Sequence, residues 1–239
     1  MNASRTVRER VRAELTREIT DVARRHLATH GAHGLSLRAV AREMGMVSSA
    51  IYRYFPSRDD LLTALIIDGY NAIGETVERA DAARPRDDHT GRWLAVCHAA
   101  RDWALAHPHE YALLYGSPVP GYKAPRDTVG PATRSTTVYS RIIADAHAAG
   151  VLDPPPVGPP PPASFAADAE RVRAFMPGVR DDVVARALTA WTSLFGWISF
   201  ELFGQFAAVI LDPAPAFDHA MRALARYVGL PGQPPRGST

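Results

Sequence analysis

Between Gly45 and Leu62 the sequence reads GMVSSAIYRYFPSRDDLL, which sets Tyr52, Arg53, Tyr54 and Phe55 side by side before Pro56. A phenol and a guanidinium both donate to phosphate oxygens, and arginine adds bidentate hydrogen bonding to guanine edges. Ser48 and Ser49 come just before them, with side chains small enough for close approach to a base edge. Arg38 lies upstream. Arg58 falls at the start of the next helical pattern, where free N–H groups and the helix dipole also favour an anion. The chemistry that this set suits is the binding of a polyanion.

Other residues invite other chemistry. Trp93, Trp103, Tyr111, Tyr115, Trp191 and Phe195 are candidates to line a pocket for a hydrophobic or planar small molecule, although aromatics at helical spacing also build cores. His26 and His30 have a spacing that can bind zinc, but no Cys or acid completes the set, and a helix C-terminus explains them as partners of the dipole. Cys97 and His98 are neighbours and so point apart on a helix, with no third group to orient them. The expectation is no catalytic set, no metal site and no cofactor.

The elements that must position these residues read as helices throughout. Val7, Val11, Leu15, Ile19 and Val22 recur at helical spacing until Gly31. Ser36 stands as the N-cap of a short helix carrying Leu37, Val40, Ala41 and Met44, and Gly45 ends it. A second short helix is predicted up to Phe55, with Ala50, Ile51 and Phe55 facing inward, and Pro56 stops it. Ser57 and Asp60 form a capping-box pair for a long helix striped by Leu62, Leu65, Ile66, Tyr70, Ile73 and Val77. Further helices are predicted from about Trp93 to Ala106, at 108–115, 132–149, 164–175, 180–208 and 215–228, with a Gly/Pro-rich loop at 116–131. Seven prolines in residues 151–162 mark an extended loop. The helix at 180–208 has almost no polar face, so one side is expected in the core and the other against a second subunit. No segment reads as a strand, and the fold class is all-α.

The chain has 239 residues, with 46% hydrophobic and 22% charged, an ordinary globular composition. No signal peptide is evident, and the longest apolar run, Ala187 to Phe200, is short of the roughly 20 residues needed to cross a bilayer. Cys97 is the single cysteine, which excludes an internal disulfide. A cytoplasmic protein is the simplest reading. The net charge of +2 is uneven: residues 1–60 carry 11 arginines against 7 acids, whereas the rest carries 16 basic residues against 18 acids. A basic end on a near-neutral body fits a small module that meets an anion.

Two short helices joined through Gly45 and braced by a preceding helix have the layout of a helix-turn-helix. The stretch LSLRAVAREMGMVSSAIYRYFPSRDDLL resembles that unit in the tetracycline-repressor (TetR) family of bacterial regulators, over about residues 10–70. The segment from Arg101 to Tyr122, with Trp93, resembles the family's ligand domain of the Trp-His-Gly type. The resemblance implies that Ser36, Arg38, Ser48, Ser49, Tyr52, Arg53, Tyr54 and Arg58 touch DNA. It also implies a small-molecule effector and a homodimer formed through helices at about 164–208. One position departs: where the family often has a capping Ser or Thr, this chain has Val47, which leaves open how the recognition helix is capped. The expected organisation is a DNA-binding head with a basic N-terminal arm at 1–60, an effector-binding and dimerisation body at 61–230, and a disordered tail at 231–239. The expected partners are a double-stranded DNA operator, an effector and a second copy, with no membrane. The alternative is a ligand-binding or scaffolding dimer whose helix-turn-helix meets protein.

Overall fold

A computed structural model describes residues 2–155 and 159–232, with side chains from Val7 onward. The expectation of a disordered tail therefore lies outside the described residues from residue 233 on, and the middle of the proline-rich loop, 156–158, lies outside them too. Among the described residues there are nine α-helices, a few 3-10 turns and no strand. In chain order these are α1 (Asn2–His30), α2 (Leu37–Glu43), α3 (Arg58–Ala82), α4 (His89–Ala106) and α5 (Pro108–Tyr115). Then follow α6 (Val129–Ala148), α7 (Ala166–Arg173), α8 (Asp181–Leu202) and α9 (Pro213–Val228).

The chain divides into two compact units. Unit 1 holds residues 1–71 and 107–131, and unit 2 holds residues 72–106 and 132–239. This differs from a single boundary at residue 60. The reason is non-local packing: Leu113 of α5, with Val119 and Tyr122 beyond it, lies against the same core as Ile19, Val40, Ile51 and Leu62. The Tyr122 hydroxyl also meets Thr63 Oγ1 at 2.9 Å, and Arg24 of α1 reaches Glu110 of α5 at 3.4 Å.

The start of α3 follows its sequence. Ser57 N–H donates to Asp60 Oδ2 (2.9 Å) and Asp60 N–H donates to Ser57 Oγ (3.2 Å), which satisfies two otherwise free helix donors. The end of α2 is equally legible. Gly45 takes φ of +65°, its N–H bonds Arg42 O (3.1 Å) and that of Met46 bonds Ala41 O (2.9 Å), the paired bonds of a Schellman stop.

Two buried arginines of α4 tie unit 2 together. Arg92 of α4 is fully buried and donates to Asp81 Oδ1 at 2.7 Å, Asp145 Oδ2 at 2.8 Å and the Arg86 carbonyl at 3.0 Å, so it joins α3, α4 and α6. Arg101 of α4 forks onto Glu201 of α8 at 2.8 and 2.5 Å and lies over the Phe217 ring of α9.

The helix predicted at 180–208 is shorter, ending at Leu202. Gly204 adopts φ of +78° and the N–H of Gln205 turns back to Phe200 O (2.8 Å), again a Schellman stop. At 22 residues α8 is long and apolar enough, by length and composition alone, to cross a bilayer, a test that the core helix of a soluble protein also passes; its uncharged run remains Ala187 to Phe200. Val184, Leu194 and Ile198 are buried, and the helix packs on α4, α7 and α9. Its other side is mixed, with Thr189 and Thr192 exposed alongside Phe200.

Candidate nucleic-acid interface and effector cavity

The candidate interface is built on α2 and the segment after it. Leu37, Val40 and Ala41 bury one side of α2, which leaves Arg38 exposed, and with it Arg42 one turn on. Neither guanidinium has a partner among the described residues. Arg42 was missed by sequence reading, although its i, i+4 spacing from Arg38 on the polar face was a usable signal. Ser36, Arg38, Arg42, Val47 and Ser48 line one groove around Gly45 and Met46.

The recognition segment is not the regular helix expected. Residues 48–50 form turns and Ile51–Arg53 a 3-10 helix, held by short-range bonds from Ala50 N–H to Val47 O (2.8 Å), Arg53 N–H to Ala50 O (3.1 Å) and Tyr54 N–H to Ile51 O (2.9 Å). Val47 sits where a side-chain oxygen would accept a free N–H at the helix start, and its valine side chain cannot. The segment tightens to i, i+3 bonding instead. Ser36 likewise occupies the N-cap of α2 without a side-chain capping bond.

Ser48, Ser49, Tyr52 and Arg53 are exposed on this segment. Tyr54 is not free in the same way: it packs on the core of unit 1, and the Arg12 guanidinium lies 5.8 Å over its ring. Arg12 also donates to the Arg53 carbonyl at 3.1 Å, so α1 braces the segment from behind. Arg58 departs from its expected outward placement. It donates to Leu35 O (3.2 Å) and Ala32 O (2.7 Å), pinning the start of α3 to the turn before α2. His26 meets Glu43 Oε2 at 2.6 Å and Arg25 meets Glu43 Oε1 at 2.8 Å, tying α1 to α2. These two hydrogen bonds, Arg25 first, hold the Glu43 carboxyl below its usual range.

Val47→Thr tests the capping account. Val47 is 74% exposed, so little packing is lost, and a hydroxyl there can accept from the start of the helix. The expected gain is about 0.5–1 kcal/mol in unfolding free energy, read by chemical denaturation, with slower amide exchange at 48–50. An unchanged or lower midpoint would count against it.

The aromatic candidates separate. Trp93 of α4 and Trp191 of α8 line a cavity of about 210 Å³ in unit 2, with Tyr139 and Ile143 of α6, Met176 and Leu188. Trp93 stacks edge-on with Tyr139, and its indole N–H donates to Met221 O at 3.0 Å. Phe195 is buried against Trp191 but does not line the cavity, and Trp103 is buried elsewhere in unit 2. Tyr111 and Tyr115 belong to unit 1, where Tyr115 meets Tyr70 edge-on.

Comparison with known proteins agrees with this geometry. Residues 19–65 match the family model for bacterial regulatory proteins of the tetR family, and residues 93–224 match that for the tetracyclin repressor-like C-terminal domain. The HTH-type transcriptional regulator Rv1816 of Mycobacterium tuberculosis is 43% identical over 221 residues, covering 91% of this chain and 93% of that protein. The crystal structure of SCO4313 superposes with a TM-score of 0.72 at 37% identity, covering 90% of this chain and 97% of that one. A protein of unknown function from Rhodococcus sp. RHA1 superposes at 0.65 with 28% identity, covering 88% and 95%. With its helix-turn-helix in one matched region and its helical body in the other, the chain belongs to the TetR family of DNA-binding transcriptional regulators.

Proposed function

We propose that the protein is a ligand-responsive repressor that binds a pseudo-palindromic operator in double-stranded DNA as a homodimer. The observation that carries the reading is the outward face of the helix-turn-helix, where Arg38, Arg42, Ser48, Ser49, Tyr52 and Arg53 are all exposed on the more basic part of the chain. In this reading Arg38, Ser48 and Ser49 meet base edges in the major groove, while Tyr52 and Arg53 meet phosphates. DNA contacts fall within residues 1–60. Effector binding and dimerisation fall within 61–230, and the setting is the cytoplasm.

The dimer surface is assigned to the α8 side of unit 2. Phe200, Phe203, Val209 and Leu211 are exposed there, at 53%, 46%, 75% and 105% of their full accessibility. Exposed large apolar side chains of this kind are what an isologous contact buries. An effector in the body releases DNA only as far as it binds the released state more tightly than the bound one.

Fragments selected by the protein from its source genome provide the test. Titration of a selected site is expected to show two protomers per site, half-sites about 34–36 Å apart, and affinity that falls steeply with salt. A monomeric mass at micromolar concentration, or binding without sequence preference, would overturn the reading. The second of these results would favour a helix-turn-helix that meets protein.

A further inference from the structure

The cavity in unit 2 has a distinctive chemistry. None of the described residues that line it carries a charge, and its polar atoms are few: the hydroxyls of Thr136 and Ser140 and that of Tyr139, which donates to Val96 O at 3.4 Å. An ion entering such a site would lose its hydration with no counter-charge to replace it, so the walls select against carboxylates, phosphates and ammonium groups. Size sets a second limit. An apolar cavity of about 150 Å³ accepts benzene, so roughly 210 Å³ accommodates an aromatic ring or short chain with a few further atoms.

The third observation is a single orphaned donor. Trp191 lines this cavity, and its indole N–H is buried with no hydrogen-bond partner among the described residues. Trp93, which lines the same cavity from α4, has its N–H satisfied by Met221 O, so the two indoles are not equivalent. A buried donor without an acceptor is costly to leave unmade. The Trp191 N–H is also shielded from solvent, so an acceptor reaches it only when the ring turns toward the cavity.

We propose that this cavity takes an uncharged, largely hydrocarbon molecule with one hydrogen-bond acceptor, of about eight to ten non-hydrogen atoms, whose acceptor receives the Trp191 N–H. The proposal deepens the reading of the body as the effector-binding part and rests on it. It also supplies a mechanical consequence. Trp191 sits on α8 against Phe195, so a turned indole changes the packing of the helix assigned to the dimer surface.

Three probes of matched size separate the features: acetophenone, a neutral ketone; cumene, its hydrocarbon counterpart; and benzoate, an anion. In calorimetric titration of the full chain, acetophenone is expected to bind roughly fivefold to tenfold more tightly than cumene, the value of one neutral hydrogen bond. Benzoate is expected to give no binding heat. Trp191→Phe should bring acetophenone to the level of cumene and leave cumene unchanged. Ala187→Leu, which fills space at the wall, should abolish binding of both and keeps the test open if Trp191→Phe fails to fold. Equal affinity for all three probes, an acetophenone preference that survives Trp191→Phe, or no binding by any probe would each overturn the proposal. Operator binding measured in parallel without probe keeps the two readings apart. Operator binding with no probe binding would sink the cavity assignment alone, and probe binding without operator binding would sink the regulator reading alone.

Discussion

Exchange of Arg92 for alanine is expected to lower the unfolding free energy by about 3 kcal/mol, the largest stability loss of any single side chain discussed. The guanidinium is fully buried and bonds two carboxylates and a backbone carbonyl contributed by α3, the loop after it and α6. Its removal leaves Asp81, only 7% exposed at the side chain, with Arg86 as its remaining cationic partner, and Arg86 is itself half-exposed. A buried carboxylate that has lost its partner dominates the cost, so Arg92→Ala with Asp81→Ala should be less damaged than the two single losses summed.

The same network makes a pH prediction. Burial pushes the Asp81 carboxyl up, but the hydrogen bonds from Arg92 and Arg86 outweigh it and hold the group below its ordinary value. A carboxyl depressed by folding contributes stability that is fully present above its unfolded value of about 3.9 and is lost as pH falls through the folded value. The contribution of Asp81 to stability should therefore be level from neutral pH down to about 4 and fall below it. In Arg92→Ala this acid-side decline should be smaller, because with less to oppose burial the folded value moves toward the unfolded one. Denaturant midpoints across this range check both statements, and a variant within about 1 kcal/mol of wild type at neutral pH would contradict the first.

Much of the scaffold was legible because it is written in local chemistry. The stops at Gly31 and Gly45, the Ser57–Asp60 box and the helical stripes need only neighbours in sequence, and each is found. Gly229 shows the same logic with a further constraint. It ends α9 at φ of +102°, and a side chain there would run into the backbone of Pro154 at 2.4 Å. What could not be read is whatever depends on distant partners. The sequence places Arg58 correctly at a helix start but not its bonds to the Ala32 and Leu35 carbonyls. It marks α5 as a helix but not its membership of unit 1, because Leu113 and Tyr122 reach that core only through the fold. Aromatic spacing picked out six cavity candidates, of which the geometry brings two together, Trp93 and Trp191. The apolar run past Leu202 was read as more helix, whereas Gly204 turns the chain and leaves Val209 and Leu211 exposed.

Arg38→Ala is expected to weaken operator binding on the order of a hundredfold, since each lost base or backbone contact is worth about 1–3 kcal/mol and a dimer loses two. The substitution suits the question because Arg38 is exposed on α2 with no partner among the described residues, and alanine favours a helix at least as well as arginine. The melting point should therefore stay where it is. Arg53→Ala separates phosphate contact from base reading. It should weaken all sequences alike and lower the salt slope by roughly one unit per half-site, whereas loss of Arg38 should also flatten the preference among operator variants. Arg58→Ala is the contrasting case. Its guanidinium braces Leu35 and Ala32, so its loss should shift the melting point together with DNA affinity, by about 1–3 kcal/mol of stability. A variant set in which Arg38→Ala unfolds the head while Arg58→Ala is thermally silent would reverse the assignment of which arginine faces DNA and which holds the head together.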